Sequence, residues 1–500
     1  MPYSIPTSPA QLSHYIDGAY LPFVDQGAVS RVAPSHGVEI SKASKADAST
    51  TESAILNARK AFDDGRWSGL PARERGKVLT RVADLIEKHA DRFAVMECLE
   101  SGKPISQAKG EVAGSAALWR FAASLAATTV GETHNGLGPD ILAMVLKEPI
   151  GVVSIITPWN FPFWILGQKL PFALAAGCTC VVKPSEITPT TTSWLGELLT
   201  EAGMPPGVCN IVLGLGDPVG QMLSTHEAVD MVSFTGSTAV GKLVSRQASD
   251  TLKKVALELG GKNPLVVFPD ADLDQAADAL VFGAYFNVGQ CCNASSRAII
   301  HEDIAEALAA KVVELSGQVR FGDPLDPATQ VGAIVHQPHL DKIMADVQSA
   351  VDQGATLALG GGAAPFSGLP DSLAFEPTVL TDVTRDMAVA TEEVFGPVLS
   401  IIKFSTFDEA VSITNDISYG LSAGVFSQDV STCLAFARRA QAGTIWSNTW
   451  MDGFPEVTFG GMKQSGQGRE IGRYGLEEFL EVKSVVMRIG QTRGPWVTPA

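Results

Sequence analysis

From residue 151 onward, short β-branched apolar runs alternate with helical stretches, and this alternation restricts the chain more than any other feature. The runs at 151–156, 180–183, 208–212 and 231–234 have the length and composition of buried parallel strands. Joined by helices, they predict a doubly wound α/β sheet. Gly177, Gly207, Gly214, Gly216 and Gly236 punctuate the joints. A second α/β series follows Gly260, with apolar runs at 264–268, 298–301 and 398–404, and predicts a separate domain. Ahead of the first series, 53–62 and 73–96 read as helices. In the second of these, Val78, Leu79, Val82, Leu85 and Ile86 share one face, and Arg73, Arg75, Lys77 and Glu87 lie mostly off it. Segments 130–147 and 479–489 partly alternate in polarity and predict the strands of a projecting arm.

The length of 500 residues agrees with this division, since single cores stop growing near ~250–300 residues. A net charge of −17 disfavours a nucleic-acid partner. The seven cysteines are odd in number and two are adjacent, so no disulfide framework is indicated. Residues 1–20 lack a basic start followed by an apolar core, and a reducing cytoplasm is the expected compartment. Segment 149–168 is uncharged and long enough to span a bilayer. Pro149, Pro158, Pro162 and a central Asn160 make a buried strand, a loop and a helix start the better expectation, and no membrane association is expected.

Three segments carry the chemistry. Phe286-Asn287-Val288-Gly289-Gln290-Cys291-Cys292 sets a thiol in a polar turn. A free thiol has a pKa near ~8.5 and needs local help to attack at neutral pH. Leu257-Glu258-Leu259-Gly260-Gly261-Lys262 supplies a carboxylate at a strand end, and taken alone Glu258 is equally an exposed charge. Thr157-Pro158-Trp159-Asn160-Phe161-Pro162 supplies an amide, which on its own reads as a cap of the helix after Pro162. Cys178-x-Cys180 and the adjacent pair have no zinc-type spacing and no paired histidine, so no metal is expected.

In this order the three segments resemble the aldehyde dehydrogenase superfamily, over roughly residues 16–486. The resemblance implies an aldehyde dehydrogenase-like α/β fold. Its parts would be a Rossmann-type NAD-binding domain (1–126 and 150–259), an α/β catalytic domain (260–478) and a small β oligomerisation arm (127–149 and 479–500). It selects Cys292 over Cys291 as the nucleophile, through the family's Gly-Gln-x-Cys spacing. Glu258 becomes the general base, and Asn160 with the Cys292 backbone N–H becomes the oxyanion hole. Lys169 and Glu470 match a proposed proton exit route, although a structural ion pair is an equal reading.

The cofactor signals also come by resemblance. Neither Gly214-x-Gly216 nor Gly236-Ser237-Thr238-Ala239-Val240-Gly241 is the standard dinucleotide fingerprint. The second resembles a shortened version in which Gly236 and Ser237 open a helix toward the pyrophosphate. Lys183 and Glu186 would hold the adenosine ribose hydroxyls, so NAD is favoured and NADP disfavoured. Glu393 would bind the nicotinamide ribose and Phe395 would pack near the ring. Otherwise Glu392-Glu393 is a turn with solvated acids. Ile156, Thr157, Pro158, Trp159, Ser185, Gly216, Phe234, Leu259 and Gly260 complete the expected cofactor contacts.

The implied reaction is NAD-dependent oxidation of a small-molecule aldehyde to a carboxylic acid, through a Cys292 thiohemiacetal and thioester. Two alternatives stand beside it: an acylating enzyme, which typically lacks the base, and a binding or structural protein on a retired enzyme scaffold. The resemblance lines the substrate tunnel with Phe161, Trp164, Gln168, Phe286, Cys291, Asn293, Trp450, Met451 and Phe459. Many relatives carry an aromatic residue at Gln168. A polar group there disfavours a purely aliphatic tunnel. Asp452 and Glu456 at the mouth would attract a cationic aldehyde, betaine-type or ω-amino, unless they are merely solvated rim residues. The arm implies a homodimer or homotetramer.

Overall fold

The computed structural model describes residues 3–491, 493–494 and 496–497. Residues 1–2 of the first expected domain, and 492, 495 and 498–500 of the expected arm, lie outside the described residues.

An 8-stranded sheet is built around Val152–Ile156. On one side lie Thr179–Lys183 and Cys209–Ile211, on the other Met231–Thr235 and Lys254–Glu258, all parallel. The chain order therefore reverses between Val152–Ile156 and Met231–Thr235. At such a point the loops from the carboxyl ends diverge and leave a crevice. The strands are buried on both faces, as their β-branched runs require. Val153, Ile155, Cys180 and Val182 pack into one core, and Val152, Ile156, Val181 and Phe234 into another on the opposite face.

The second sheet has 7 strands, centred on Pro264–Val267 and Arg297–His301. All its pairings are parallel except that of Thr356–Leu359 with Thr378–Thr381. Only residues 259–263 separate its first strand from the last parallel strand of the first sheet. The carboxyl end of one sheet thus faces the other across a short glycine-rich link. The arm is a 3-stranded antiparallel sheet in which Leu480–Arg488 pairs with Ile141–Pro149, and Glu132–His134 lines the other side.

Two features differ from the sequence expectations. Segment 73–96 is two helices, Ala72–Lys88 and Ala90–Ser101, parted at His89 (φ −107°, ψ 13°). The His89 N–H reaches back to the carbonyls of Leu85 and Ile86, which closes the first helix with no glycine or proline to announce it. Residues 466–478, expected in the catalytic domain, return to the first sheet. Gly466–Gln467 pairs antiparallel with Lys254–Glu258, and Ile471 and Leu476 join the first core. Segment 149–168 is a strand, a loop and the start of helix Pro162–Ala176. Among the described residues no helix is long and apolar enough to cross a membrane.

Candidate active site

The thiol loop is bent by an unusual backbone. Asn287 and Val288 both take positive φ, 52° and 60°, and Gly289 follows at 68°. A β-branched residue rarely adopts that conformation, so the surroundings must hold it there. A Cβ on Gly289 would lie 2.2 Å from the Gly396 carbonyl, so only glycine lets these two loops touch. The turn is fixed by Asn287 Nδ2, which donates to the carbonyls of Gln290 (2.8 Å) and Asn160 (2.9 Å). Gln290 Oε1 accepts from the Val335 N–H at 3.0 Å. Cys292 emerges half-buried beside a buried Cys291. Its carbonyl accepts from Asn263 Nδ2 at 2.7 Å, which ties the thiol loop to the link between the sheets. The Cys292 thiol is pushed well above its usual range, first by a hydrogen bond with Cys291 and then by burial. A hydrogen bond of this sense favours the protonated form.

Glu258 ends the strand Lys254–Glu258, and neither carboxylate oxygen has a hydrogen-bond partner. Its pKa is driven well above the carboxylate range by burial first and then by the Glu470 carboxylate, against the pull of Lys169. A buried carboxyl free of partners and raised above the usual carboxylate range is suited to proton transfer. Lys169 and Glu470 form a buried ion pair at 2.5 Å, and Lys169 also donates to Ser233 Oγ at 3.1 Å. Glu470 is itself raised, with burial the larger cause and Lys169 opposing it.

Asn160 does not cap the helix after it. The N-cap of Pro162–Ala176 is Phe161, with no side-chain cap. Proline at the first position has no N–H to satisfy, and the next, that of Phe163, donates to Glu97 Oε2 at 3.4 Å. Asn160 Nδ2 donates instead to the Gln290 carbonyl at 3.2 Å, two residues before the thiol.

At the crevice of the first sheet, Ile156, Thr157, Pro158 and Trp159 leave one strand, and Phe234, Gly236 and Ser237 leave its neighbour. Ser237 caps helix Thr238–Ala248 by accepting from the Val240 N–H at 3.3 Å. The space beside Gly216 is open, with no atom within 4 Å of where a Cβ would stand, and Thr157 Oγ1 is buried without a partner. Lys183 Nζ lies 3.6 Å from Glu186 at the end of a third strand, beside a buried Ser185. On the opposite wall, Glu393 Oε1 accepts from the Gly261 N–H at 2.9 Å, so this acid is not merely solvated. Burial first, against that hydrogen bond, raises Glu393 to about 7. A Cβ on Gly260 would stand 2.4 Å from Glu393, and Leu259 packs against Gly241. Phe395 takes φ 61° and meets Trp159 edge-on at 5.4 Å. Open space at Gly216, an orphaned hydroxyl, a helix N-terminus and two carboxylates on the walls of the crevice are features that a dinucleotide fits.

Of the residues expected to line a tunnel, Phe161, Trp164, Phe286, Cys291 and Met451 form one apolar cluster with Ile165 and Ala294. Phe161 and Phe286 are stacked at 6.0 Å. Gln168 is half-buried, one turn along the helix from Trp164. Asn293 Oδ1 accepts from Ser422 Oγ at 3.4 Å. Trp450 is set deeper, in the core of the second sheet against Trp446, and Phe459 packs on the first core. Asp452 and Glu456 are exposed, and the Asp452 carboxylate is engaged by Thr449. Among the described residues no cluster could hold a metal ion.

Sequence reasoning did not single out Lys103 or Asn287, which donate to the Asn160 carbonyl, or Glu111, which holds Lys103. One signal was available: Glu111 shares a helix face with Ala108, Val112 and Ser115, and a charge inside an apolar stripe is informative.

The family model described as "Aldehyde dehydrogenase family" matches residues 23–485. A betaine aldehyde dehydrogenase of Bacillus subtilis is 39% identical over 471 residues, covering 94% of this chain and 96% of its own. The crystal structure of an NAD-dependent aldehyde dehydrogenase from Sinorhizobium meliloti superposes with a TM-score of 0.96 at 45% identity, covering 98% of this chain and 97% of that one. A betaine aldehyde dehydrogenase of Staphylococcus aureus in complex with NAD+ gives a TM-score of 0.95 at 37% identity, covering 98% and 97%.

Proposed function

The chain belongs to the aldehyde dehydrogenase family, and from that premise we propose how its residues divide the work and which aldehydes it takes. It is an NAD-dependent aldehyde dehydrogenase with the mixed α/β fold of that family. Bound NAD supplies the hydride acceptor.

Cys292, after its thiol proton is released to solvent, attacks the aldehyde carbon as the thiolate. Asn160 Nδ2 and the Cys292 N–H receive the oxygen as it gains charge. As the oxygen re-forms its double bond the carbon's hydride would pass to NAD when bound, leaving a thioester on Cys292; Glu258 then takes a proton from the water that displaces the Cys292 sulfur and releases the acid. The observation that carries this reading is the unpartnered, high-poised Glu258 carboxyl beside the thiol loop. An acylating enzyme has no need of such a base, and a retired scaffold has no need of either group. Ser237 and the helix it caps would receive the pyrophosphate, with Lys183 and Glu186 on one ribose and Glu393 on the other. Lys169 and Glu470 would carry the proton away from Glu258.

Polar or cationic aldehydes, betaine-type or ω-amino, are the proposed substrates. Half-buried Gln168 beside the aromatic cluster supports this, as do the betaine aldehyde dehydrogenases among the relatives. Exposed Asp452 and Glu456 add only a weakly attractive rim. The free cysteines suit a reducing compartment, and a cytoplasmic location is inferred from that chemistry. Val482 and Val486 are exposed on the free outer strand of the arm, 65% and 69%, which favours a homodimer or homotetramer formed by covering that edge.

The test is NADH formation with short aliphatic, aromatic, hydroxy and trimethylammonium aldehydes, for wild type and Cys292→Ala. Turnover lost in the variant and greatest with the cationic aldehyde is expected. Equal turnover across the panel would remove the substrate proposal, and NADH formed only with coenzyme A would favour the acylating alternative.

A further inference from the structure

Beneath the Asn160 turn lies a set of buried charges that the reaction scheme does not use. Lys103 is completely buried. Its Nζ donates to Glu111 Oε1 and Oε2, at 2.7 and 2.6 Å, and to the Asn160 carbonyl at 2.7 Å. These acceptors match the three N–H donors of an ammonium. The same Nζ lies 4.5 Å from the centre of the Phe161 ring.

A buried ion pair is a poor device for stability alone, because a well-packed apolar pair of similar volume commonly serves as well. What this pair provides is orientation. The Asn160 carbonyl accepts from Lys103 and also from Asn287 Nδ2 at 2.9 Å, so both its lone pairs are engaged. The Asn160 peptide is thereby fixed. Asn287 is held in turn by its N–H, which donates to Gln107 Oε1 at 3.0 Å. Gln107 and Glu111 both sit on helix Ile105–Ala126, directly after Lys103. One helix therefore anchors both donors that grip Asn160.

We propose that Lys103 is a positioning residue for the reaction: its ammonium, held by Glu111, grips the Asn160 carbonyl and so aims the Asn160 side chain at the thiol. The inference rests on Asn160 being the oxyanion donor. Such donors act through preorganisation, and a displacement of about 1 Å costs on the order of a hundredfold in rate.

Lys103→Met alone would leave Glu111 without a partner. The paired variant Lys103→Met/Glu111→Gln removes both charges at similar volume. It would be compared with wild type, Asn160→Ala and the triple variant, each checked for an unchanged Tm. Two rates are measured: kcat for NADH formation, and alkylation of Cys292 by iodoacetamide, a displacement that passes through no oxyanion. The expected result is a fall in kcat of about tenfold or more where Asn160 is present, and less than about twofold in the Asn160→Ala background. Alkylation stays within about twofold of wild type. Equal fractional losses in both backgrounds, an unchanged kcat, or alkylation falling in parallel would overturn the inference. Should Asn160→Ala keep full kcat, the oxyanion assignment itself fails and the inference goes with it. If the paired variant does not fold, Lys103→Arg moves the donors and keeps the charge; a lower kcat at unchanged Tm supports the proposal, and an unaltered kcat overturns it.

Discussion

Gly460 faces Glu258 so closely that a Cβ on it would stand 2.8 Å from the Glu258 Oε1. The carboxylate has its seat because this position carries no side chain. Glu258→Gln should convert steady turnover into a single burst of NADH, one per site, followed by a rate lower by about 10²–10⁴. Rapid mixing with absorbance detection reads both phases. Because the folded carboxyl is raised and must be ionised to act, wild-type kcat should fall as pH drops through its displaced pKa, and the variant should lose that limb. Gly460→Ala should show a milder form of the same burst. Undiminished steady turnover in Glu258→Gln would end the assignment.

A hydrogen bond with the Cys291 thiol is the first cause that pushes Cys292 above its usual range. Cys291→Ala removes that hydrogen bond, so the pH profile for iodoacetamide labelling of Cys292 should shift to lower pH. A profile that stays in place or moves upward would show that burial alone sets the reactivity.

Glu186 stands 3.6 Å from Lys183, where a 2′-phosphate would bring like charges together. Glu186→Ser should raise the ratio of kcat/KM for NADP to that for NAD by about tenfold or more. No change in the ratio would mean that selectivity lies elsewhere.

Gln168 is the polar member of a helix face that otherwise carries Phe161, Trp164 and Ile165. Gln168→Trp should raise activity on long apolar aldehydes relative to polar ones, measured as paired kcat/KM values. An unaltered preference removes Gln168 from the account of specificity.

Burial raises Glu111 to about 7, against the attraction of Lys103, while an unfolded glutamate titrates near ~4.3. A group raised on folding contributes stability that is full below its unfolded pKa and is lost as pH rises through about 7. The Tm of Glu111→Gln, taken relative to wild type, should therefore improve as pH rises from about 5 to about 8. A difference independent of pH would show that Glu111 does not titrate in the folded protein.

Parallel strands were legible because burial on both faces writes itself as unbroken β-branched runs, and Val152–Ile156 and Met231–Thr235 stand where those runs predict. The break at His89 was not legible, since a backbone turn closed by its own N–H needs no special residue. The return of 466–478 to the first sheet was hidden for another reason. Gly466–Gln467 is too short to carry a pattern, and its partner lies about two hundred residues earlier. At the site, Cys292, Glu258 and Asn160 stood out by their motifs. Lys103 did not, because its importance comes from a carbonyl 57 residues away. The ring of Trp450, assigned to the tunnel by resemblance, packs against Gly424 and Gly283, a setting that no motif announces.

The short pairing of Gly466 with Glu258 also governs how the molecule can breathe. Ser465 adds to it, its carbonyl taking the Leu259 N–H at 2.8 Å and its hydroxyl reaching the Gly260 carbonyl at 2.7 Å. The backbone on both sides of Glu258 is thus clamped along the edge of the first sheet, and the carboxylate keeps its place only while that short ladder holds.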